Sequence, residues 1–497
     1  MTELAELKTR LAELADLDNI GLLLEWDQNT MMPPRGAESR SEALATLGRM
    51  THELLISDET GRLLEGAASE LDGAAPDSDE ARVVSVARRR FDKARRVPAE
   101  LVAEIARAGA LGYEAWVDAR KRSDFAAFVP HLERNLELAR RYVDCFDGYE
   151  HAYDVLLDNF EPGMKTAQVA ALFTELRTEL APLIAVVREH VDRVDDSCLY
   201  GSFPTDEQRR LVADALGLMG FDSDSWRMDD TVHPFASNIG TGDTRITTRW
   251  DEGYYASALY GAMHECGHGL YEAGIAEELK RTPLGHGESL GLHESQSRLW
   301  ENMVGRSRGF SGVLAPRINK LFGSKVDPET LYRAVNKVRP SLIRVEADEA
   351  TYGLHIVLRF ELEQELIEER LAIAELPEAW NARMKEYLGI DVPDDAHGVL
   401  QDVHWSGAMF GYFPTYALGN LIAGQLWERA HGEIEDLDER IATGELAPLR
   451  EWLGERVHRH GAKFEAGELL ERVTGSSISV GPFIAYLKRK VSDVYGL

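Results

Sequence analysis

Apolar residues recur at intervals of three and four along most of this 497-residue chain. Near the amino terminus the run consists of Leu4, Leu7, Leu11 and Leu14, with charged residues between them. Such spacing places the apolar side chains on one face of an α-helix. The pattern returns at 101–119, 169–194, 354–371 and 421–429, and turn-forming residues interrupt the chain at 73–76, 161–163 and 391–393. The sequence therefore predicts a mostly α-helical protein.

One region departs from this helical spacing. Residues 231–250 carry Thr, Ile and Gly in a short alternating pattern, which is clearest at 243–249 and predicts a small hairpin or strand pair. No linker rich in Gly, Ser or Pro divides the chain, and no internal repeat is present. We therefore expect residues 1–497 to form a single, mostly helical domain.

A His-Glu-Cys-Gly-His pentad occupies residues 264–268, within a run of helical apolar spacing that ends at Gly274. On a helix, His264 and His268 share one face and can bind a single metal ion, whereas Glu265 is turned aside and free to handle a proton. The alternative is a pair of structural histidines on an amphipathic helix. The carboxylate between them favours the metal site of a zinc-dependent peptidase.

A catalytic zinc site uses three protein ligands and keeps one position for water. The metzincin pattern would place a third histidine where this chain has Gly274, so that class is excluded. Glu294, in a helix-like segment at 291–300, is the expected third ligand; the alternative is a solvated helix carboxylate. Its neighbours His293 and Gln296 are candidates to orient a ligand or to contact substrate.

Charge and cysteine content exclude several functions. The net charge of -30 and the pI near 4.9 disfavour nucleic acid and anionic membrane surfaces as partners. No apolar run approaches the ~18 residues that cross a bilayer, and the start of the chain lacks a signal pattern. The three cysteines, Cys145, Cys198 and Cys266, are too scattered for a disulfide framework or a thiolate zinc site. We expect a cytoplasmic protein.

Several further motifs together resemble the carboxypeptidase Taq, or thermostable carboxypeptidase, family of metallocarboxypeptidases. Besides the pentad, they are His-Pro-Phe at 233–235, Asp-x-Arg-x-Thr at 243–247, His-Glu-Ser-Gln at 293–296, Ile-Arg-Val-Glu-Ala-Asp at 343–348 and Gly-x-x-Gln-Asp-x-His-Trp at 398–405. They follow the order of the family, and residues 26–33 also resemble it, so the likeness extends over almost the full length.

The resemblance implies a nearly all-helical, saddle-shaped fold with a deep groove, usually a homodimer, that removes single residues from peptide carboxyl termini with broad specificity. By resemblance, His404 and Tyr416 are donors to the oxyanion. Arg344 is the first candidate to anchor the substrate carboxylate, and an ordinary salt-bridge network with nearby acidic residues is its alternative. Arg245 is the second candidate, with pairing to Asp243 as its alternative. His233 is expected to shape the substrate pocket.

The resulting hypothesis assigns one ion per subunit to His264, His268 and Glu294, with Glu265 as general base. Zn²⁺ is the expected ion, although Co²⁺ or Mn²⁺ can occupy such ligands. Two alternatives stay open. One is a helical metallo-oligopeptidase or endopeptidase, which shares the same ligand logic; the other is a non-catalytic helical binding protein with a vestigial metal site.

Overall fold

The computed structural model describes residues 2–497 and confirms the prediction of a mostly helical fold. The α-helices of these residues, in chain order, are α1 Glu3–Thr30, α2 Ala37–Ile56, α3 Asp58–Glu70, α4 Asp79–Arg96, α5 Ala99–Arg122, α6 Phe125–Val143, α7 Ala152–Leu157, α8 Thr166–Arg188, α9 Thr205–Met219, α10 Tyr255–Ala273, α11 Leu290–Arg298, α12 Arg308–Phe322, α13 Pro328–Val335, α14 Glu349–Ile367, α15 Leu376–Leu388, α16 Pro414–Glu433, α17 Leu437–Thr443, α18 Ala447–Arg456, α19 Ala466–Thr474 and α20 Gly481–Tyr495. A π-helix, Leu299–Gly305, directly continues α11.

The four predicted helical segments correspond to α5, α8, α14 and α16, but two of them were predicted to end too late in the chain. The segment predicted to reach 194 ends at Arg188. The chain then forms a short 3₁₀ turn, and Val194 is buried without belonging to the helix. The segment predicted to reach 371 ends at Ile367, because Glu369 adopts a left-handed backbone conformation with φ of 57°. In both segments the apolar pattern runs past the true end of the helix.

A three-stranded sheet lies immediately before α10. Its strands are β1 Trp226–Asp230, β2 Ala236–Gly240 and β3 Asp243–Thr248, in the order β1-β3-β2. The antiparallel β2 and β3 form the predicted hairpin, whereas β1, which was not predicted, pairs parallel to β3. The Thr248 hydroxyl donates to the carbonyl of Ala258 at 3.2 Å, which fixes the sheet against α10.

The apolar core has two main parts. The larger cluster extends from α5 to α20 and contains most of the buried apolar residues of α10 and α14. A smaller cluster unites α1, α3 and α4 with Leu279 and Leu284 from the loop that follows α10. The amino-terminal helices are therefore anchored on the segment between α10 and α11. Within residues 2–497, the helices are all too short or too polar to cross a membrane.

Candidate active site

Helices α10, α11 and α16 approach one another closely at two glycines. A Cβ atom on Gly267, inside the His-Glu-Cys-Gly-His pentad, would lie 2.7 Å from the carbonyl oxygen of Gln296. A Cβ atom on Gly419 of α16 would lie 2.6 Å from Cγ of Glu294. Neither position has room for a side chain. The two glycines therefore allow α11 to carry Glu294 up to the histidines of α10.

His264, His268 and Glu294 converge on one point. Oε2 of Glu294 lies 3.5 Å from Nε2 of His264 and 3.4 Å from Nε2 of His268. Ligand atoms of the three residues all lie within 4.8 Å of one another. Two ligands of a tetrahedral zinc ion, each about 2.0–2.1 Å from the metal, are separated by about 3.4 Å. The spacing and the donor set of two imidazoles and one carboxylate therefore fit a zinc ion.

A buried carboxylate orients His264. Glu301, in the π-helix, lies 3.0 Å from Nδ1 of His264 and accepts a hydrogen bond from Arg306 at 3.0 Å. Burial raises the pKa of Glu301. The hydrogen bond to His264 and the guanidinium groups of Arg298 and Arg306 lower this pKa by more, so that it lies well below its usual range. An ionised carboxylate at this position favours the tautomer with a proton on Nδ1, which leaves the lone pair of Nε2 free to bind a metal ion.

His268 is oriented by a chain of hydrogen bonds. Its Nδ1 lies 2.5 Å from Nδ1 of His293, whose Nε2 lies 3.0 Å from Oε1 of Glu272. The backbone N–H of Gly287 donates to the same oxygen of Glu272 at 2.9 Å. His293 thus makes the ligand-orienting contact expected from the sequence, whereas Glu272 and Glu301 were missed. For Glu301, the available sequence signal was its spacing of seven residues, about two helical turns, from Glu294.

Glu265 lies beside the metal ligands on α10 and is only 7% exposed. Burial raises the pKa of its carboxyl to about 7, although the charge of His264 opposes that shift. A carboxylate with a pKa near neutrality is suited to accepting and returning a proton. Cys266, by contrast, is a fully buried free thiol.

Arg344 is 5% exposed and held in a fixed orientation. Its Nε donates to Asp402 at 2.8 Å, its Nη1 donates to the hydroxyl of Tyr352 at 2.9 Å, and its guanidinium lies 4.7 Å from the ring centre of Tyr416. The acidic residues near it in sequence are not its partners. Among residues 2–497, its Nη2 has no hydrogen-bond acceptor. Arg344 is therefore a preoriented cation with an unused donor.

His404 and Tyr416 form a pair near Arg344. Nε2 of His404 lies 3.1 Å from the Tyr416 hydroxyl. Burial lowers the pKa of His404 to about 4 and raises the pKa of Tyr416 well above its usual range, so near pH 7 the imidazole is neutral and the phenol is protonated. Arg298 donates to Glu294 at 2.7 Å and lies over the ring of Tyr352, which in turn contacts the ring of Tyr416 edge-on at 6.2 Å, so these side chains connect the pair to the metal ligands.

Three other candidates, Arg245, Gln296 and His233, are respectively paired with an acidic residue, buried, and exposed in a loop. Arg245 donates from both Nε and Nη2 to Asp243, each at 2.8 Å, and stacks on Trp26, so the alternative of structural pairing holds. Gln296 is fully buried, and its carboxamide oxygen lies 2.9 Å from Nε2 of His458. That burial leaves Gln296 unable to contact a peptide in this conformation. His233 lies exposed in the loop between β1 and β2.

A cavity of about 1080 Å³ opens beside the His268 flank of the site. It reaches His268, His293 and Glu272, and neither Arg344 nor His404 lines it. Its walls come from α1, α2, α4, α5 and the edge strand β2, and its apolar lining includes Leu11, Leu14, Leu22, Leu55, Val102 and Ile105. The site therefore adjoins a roomy, largely apolar cavity, and Arg344 lies outside the lining of that cavity.

Comparisons with known proteins agree with this geometry. The family model for "Carboxypeptidase Taq (M32) metallopeptidase" matches residues 6–491. The chain is 42% identical to thermostable carboxypeptidase 1 of Thermus thermophilus over 495 residues, 97% of each chain. It is 37% identical to carboxypeptidase 1 of Bacillus subtilis over 95% of each chain. The crystal structure of the M32 carboxypeptidase from Deinococcus radiodurans R1 matches with a TM-score of 0.96 at 39% identity, covering 100% of both chains.

These similarities extend over almost the whole chain, so they include the motifs on which the resemblance was based. They confirm the expectation of a metal-dependent peptide hydrolase. The chain therefore belongs to the carboxypeptidase Taq (M32) family of metallopeptidases.

Proposed function

We propose that this protein is a zinc-dependent carboxypeptidase that removes single amino acids from the carboxyl ends of peptides with broad specificity. The observation that carries the proposal is the buried Arg344, which keeps a free donor and lies outside the lining of the apolar cavity. A guanidinium group there can bind a terminal carboxylate, and the rest of the peptide can extend along the apolar cavity. An enzyme that cuts within chains would have no use for such an anchor.

His264, His268 and Glu294 would hold the ion, one per subunit, and Co²⁺ or Mn²⁺ could replace Zn²⁺. When bound, the ion polarises the scissile carbonyl and makes a water more acidic. Glu265 takes the proton of that water and passes it to the departing amine. Tyr416, protonated near pH 7, donates a hydrogen bond to the carbonyl oxygen as negative charge develops there, and His404 holds the Tyr416 hydroxyl in place.

The physiological setting is also a proposal. The described cysteines Cys145, Cys198 and Cys266 are all free, which supports a reducing, cytoplasmic compartment. The family resemblance supports a homodimer. Peptides are the proposed partners, and the net charge of -30 argues against nucleic acid.

The decisive experiment compares one peptide with a free carboxyl terminus and the same peptide amidated. The free peptide should yield a ladder of products shortened one residue at a time from the carboxyl end, read by mass spectrometry. The amidated peptide should resist, because it lacks the charge that Arg344 binds. Equal cleavage of both would favour an oligopeptidase. No cleavage of either by metal-loaded protein would favour a binding protein with a vestigial site.

Replacing Arg344 with alanine should lower kcat/KM on free-carboxyl peptides about 100-fold, since hydrogen bonds to charged groups are worth ~1.5–3 kcal/mol. Asp402 keeps its second partner, because Arg359 also pairs with it at 2.6 Å. Metal content should not change. Arg245→Ala is the matched control, since that guanidinium is already occupied by Asp243. A larger loss in the Arg245 variant than in the Arg344 variant would reverse the assignment.

A further inference from the structure

A fully buried carboxylate lies next to the short 3₁₀ turn His404–Gly407, which we call the His404 turn. Glu363, on α14, is 0% exposed and accepts three hydrogen bonds. The Tyr153 hydroxyl donates to its Oε2 at 2.6 Å, the indole N–H of Trp405 donates to its Oε1 at 2.7 Å, and the backbone N–H of Gly411 donates to its Oε2 at 3.1 Å. Tyr153 belongs to α7, whereas Trp405 and Gly411 lie six residues apart in the segment before α16, so this one side chain connects that segment to α7.

Two of these donors, Trp405 and Gly411, lie in the segment that connects His404 to Tyr416. Trp405 directly follows His404, and Gly411 lies five residues before Tyr416 at the entry to α16. Gly411 has a φ of 90°, and a Cβ atom on it would lie 2.6 Å from the backbone of Leu156. The chain between His404 and α16 is a short irregular stretch, and Glu363 fixes it at both ends.

The opposite side of the same stretch is fixed through backbone groups. Nδ2 of Asn135 donates to the carbonyls of Trp405 and Ser406 at 2.8 and 2.9 Å. Gly112 of α5 packs directly on the carbonyl of Ser406, with no room for a side chain. These contacts place the turn against α5 and α6. They do not reach Gly411, whereas Glu363 hydrogen-bonds both to Trp405 in this turn and to Gly411 next to α16.

The chemistry of the three donors requires a carboxylate at this position. Each of them presents an N–H or O–H group, and an ionised carboxylate offers only acceptors. Burial raises the pKa of Glu363 to about 7, while the hydrogen bonds from Tyr153, Trp405 and Gly411 oppose that shift. Glutamine has the same shape, but its NH₂ group would face one of the donors. Replacement by glutamine therefore breaks the network with little change in volume.

We infer that Glu363 is a positioning residue for peptide hydrolysis, which holds His404 against the Tyr416 hydroxyl by pinning Trp405 and Gly411. The inference rests on the proposed function, because it assumes that Tyr416 donates to the carbonyl oxygen and that His404 holds the Tyr416 hydroxyl. Glu363 itself is buried away from solvent and does not touch substrate. It acts through the geometry of the turn.

Glu363→Gln should reduce kcat about 100-fold, the cost of misplacing a catalytic group by ~1 Å. KM and zinc content should stay within about twofold of the unmodified enzyme, because Arg344 and the metal ligands are untouched. Tyr153→Phe and Trp405→Phe each remove one donor and keep the carboxylate, so each should cause a smaller loss of kcat. Every assay is run at a temperature below the melting transition of the variant, and that transition is measured by circular dichroism.

A double-mutant cycle with His404→Ala separates positioning from a general loss of structure. In the His404→Ala background, Glu363→Gln should change kcat by less than about twofold, since the group that it positions is already gone. An equal loss in both backgrounds would overturn the inference, as would full activity of Glu363→Gln. If Glu363→Gln does not fold, Trp405→Phe takes its place in the cycle with the same expectations. Full activity of His404→Ala alone would remove the role of His404, and with it this inference, but would leave the peptidase function standing.

Discussion

Glu265→Gln is expected to lower kcat by about 10³-fold or more while metal and fold are retained, because a general base contributes roughly 10²–10⁴-fold to such reactions. The amide has the shape of the carboxylate but cannot take a proton. The side chain is nearly buried and its neighbours His264 and His268 are unchanged, so ion binding should persist. Steady-state kinetics on a free-carboxyl peptide, together with metal analysis of the same preparation, measures both parts.

The pH profile provides a second measure of the same role. Without an ion, burial raises the pKa of Glu265 to about 7, and a bound cation would lower that pKa. The base must be ionised, so activity rises with pH through this pKa, and the acid limb should lie below pH 7. That limb should be absent from the residual activity of Glu265→Gln. Glu265→Asp, which keeps a shorter carboxylate, should recover part of kcat and the limb; a Gln variant retaining a tenth of normal activity would contradict the assignment.

Local patterns predicted the elements of the site that depend on local geometry. The four-residue interval between His264 and His268 fixes their common face, and apolar spacing fixes the helix beneath them. The partner of Arg344 could not be found in this way. Nearby acidic residues were the obvious alternative, yet Asp402, 58 positions away in sequence, receives its hydrogen bond. Which of many acidic residues meets an arginine is decided by tertiary packing, which spacing does not encode.

The same distinction applies to the backbone. The hairpin of β2 and β3 was predicted because its strands are adjacent in sequence and alternate clearly. Strand β1 was missed, since Trp226–Asp230 contains three charged residues and pairs in parallel with a strand that follows after a loop and β2. The π-helix was missed as well, although it sets the position of Glu301. Periodicity of 3.6 residues cannot reveal a local widening of the helix, and such widenings often occur at functional sites.

The second prediction with a large expected effect concerns metal binding. It follows from the position of the Glu294 carboxylate, which lies close to both histidines. Glu294→Ala removes the oxygen that lies 3.5 and 3.4 Å from the two imidazole nitrogens and leaves Arg298 with only Glu301, 3.4 Å away, as its acidic partner. The site then loses one negative charge beside a guanidinium that stays positive, which opposes metal binding. We expect the purified variant to hold much less than one ion per chain and to show no measurable turnover.

Glu301→Gln is the matched comparison, because it alters the carboxylate that orients His264 and leaves all three ligands in place. Loss of such an orienting group typically weakens metal affinity about 10–100-fold, so excess zinc should restore its activity. Excess zinc should not restore Glu294→Ala, since two imidazoles without the third ligand cannot rebuild the site. Titration of both metal-free variants with zinc against a competing chelator gives the two affinities directly. A Glu294→Ala protein that bound a full equivalent of zinc as tightly as Glu301→Gln would show that the third ligand lies elsewhere.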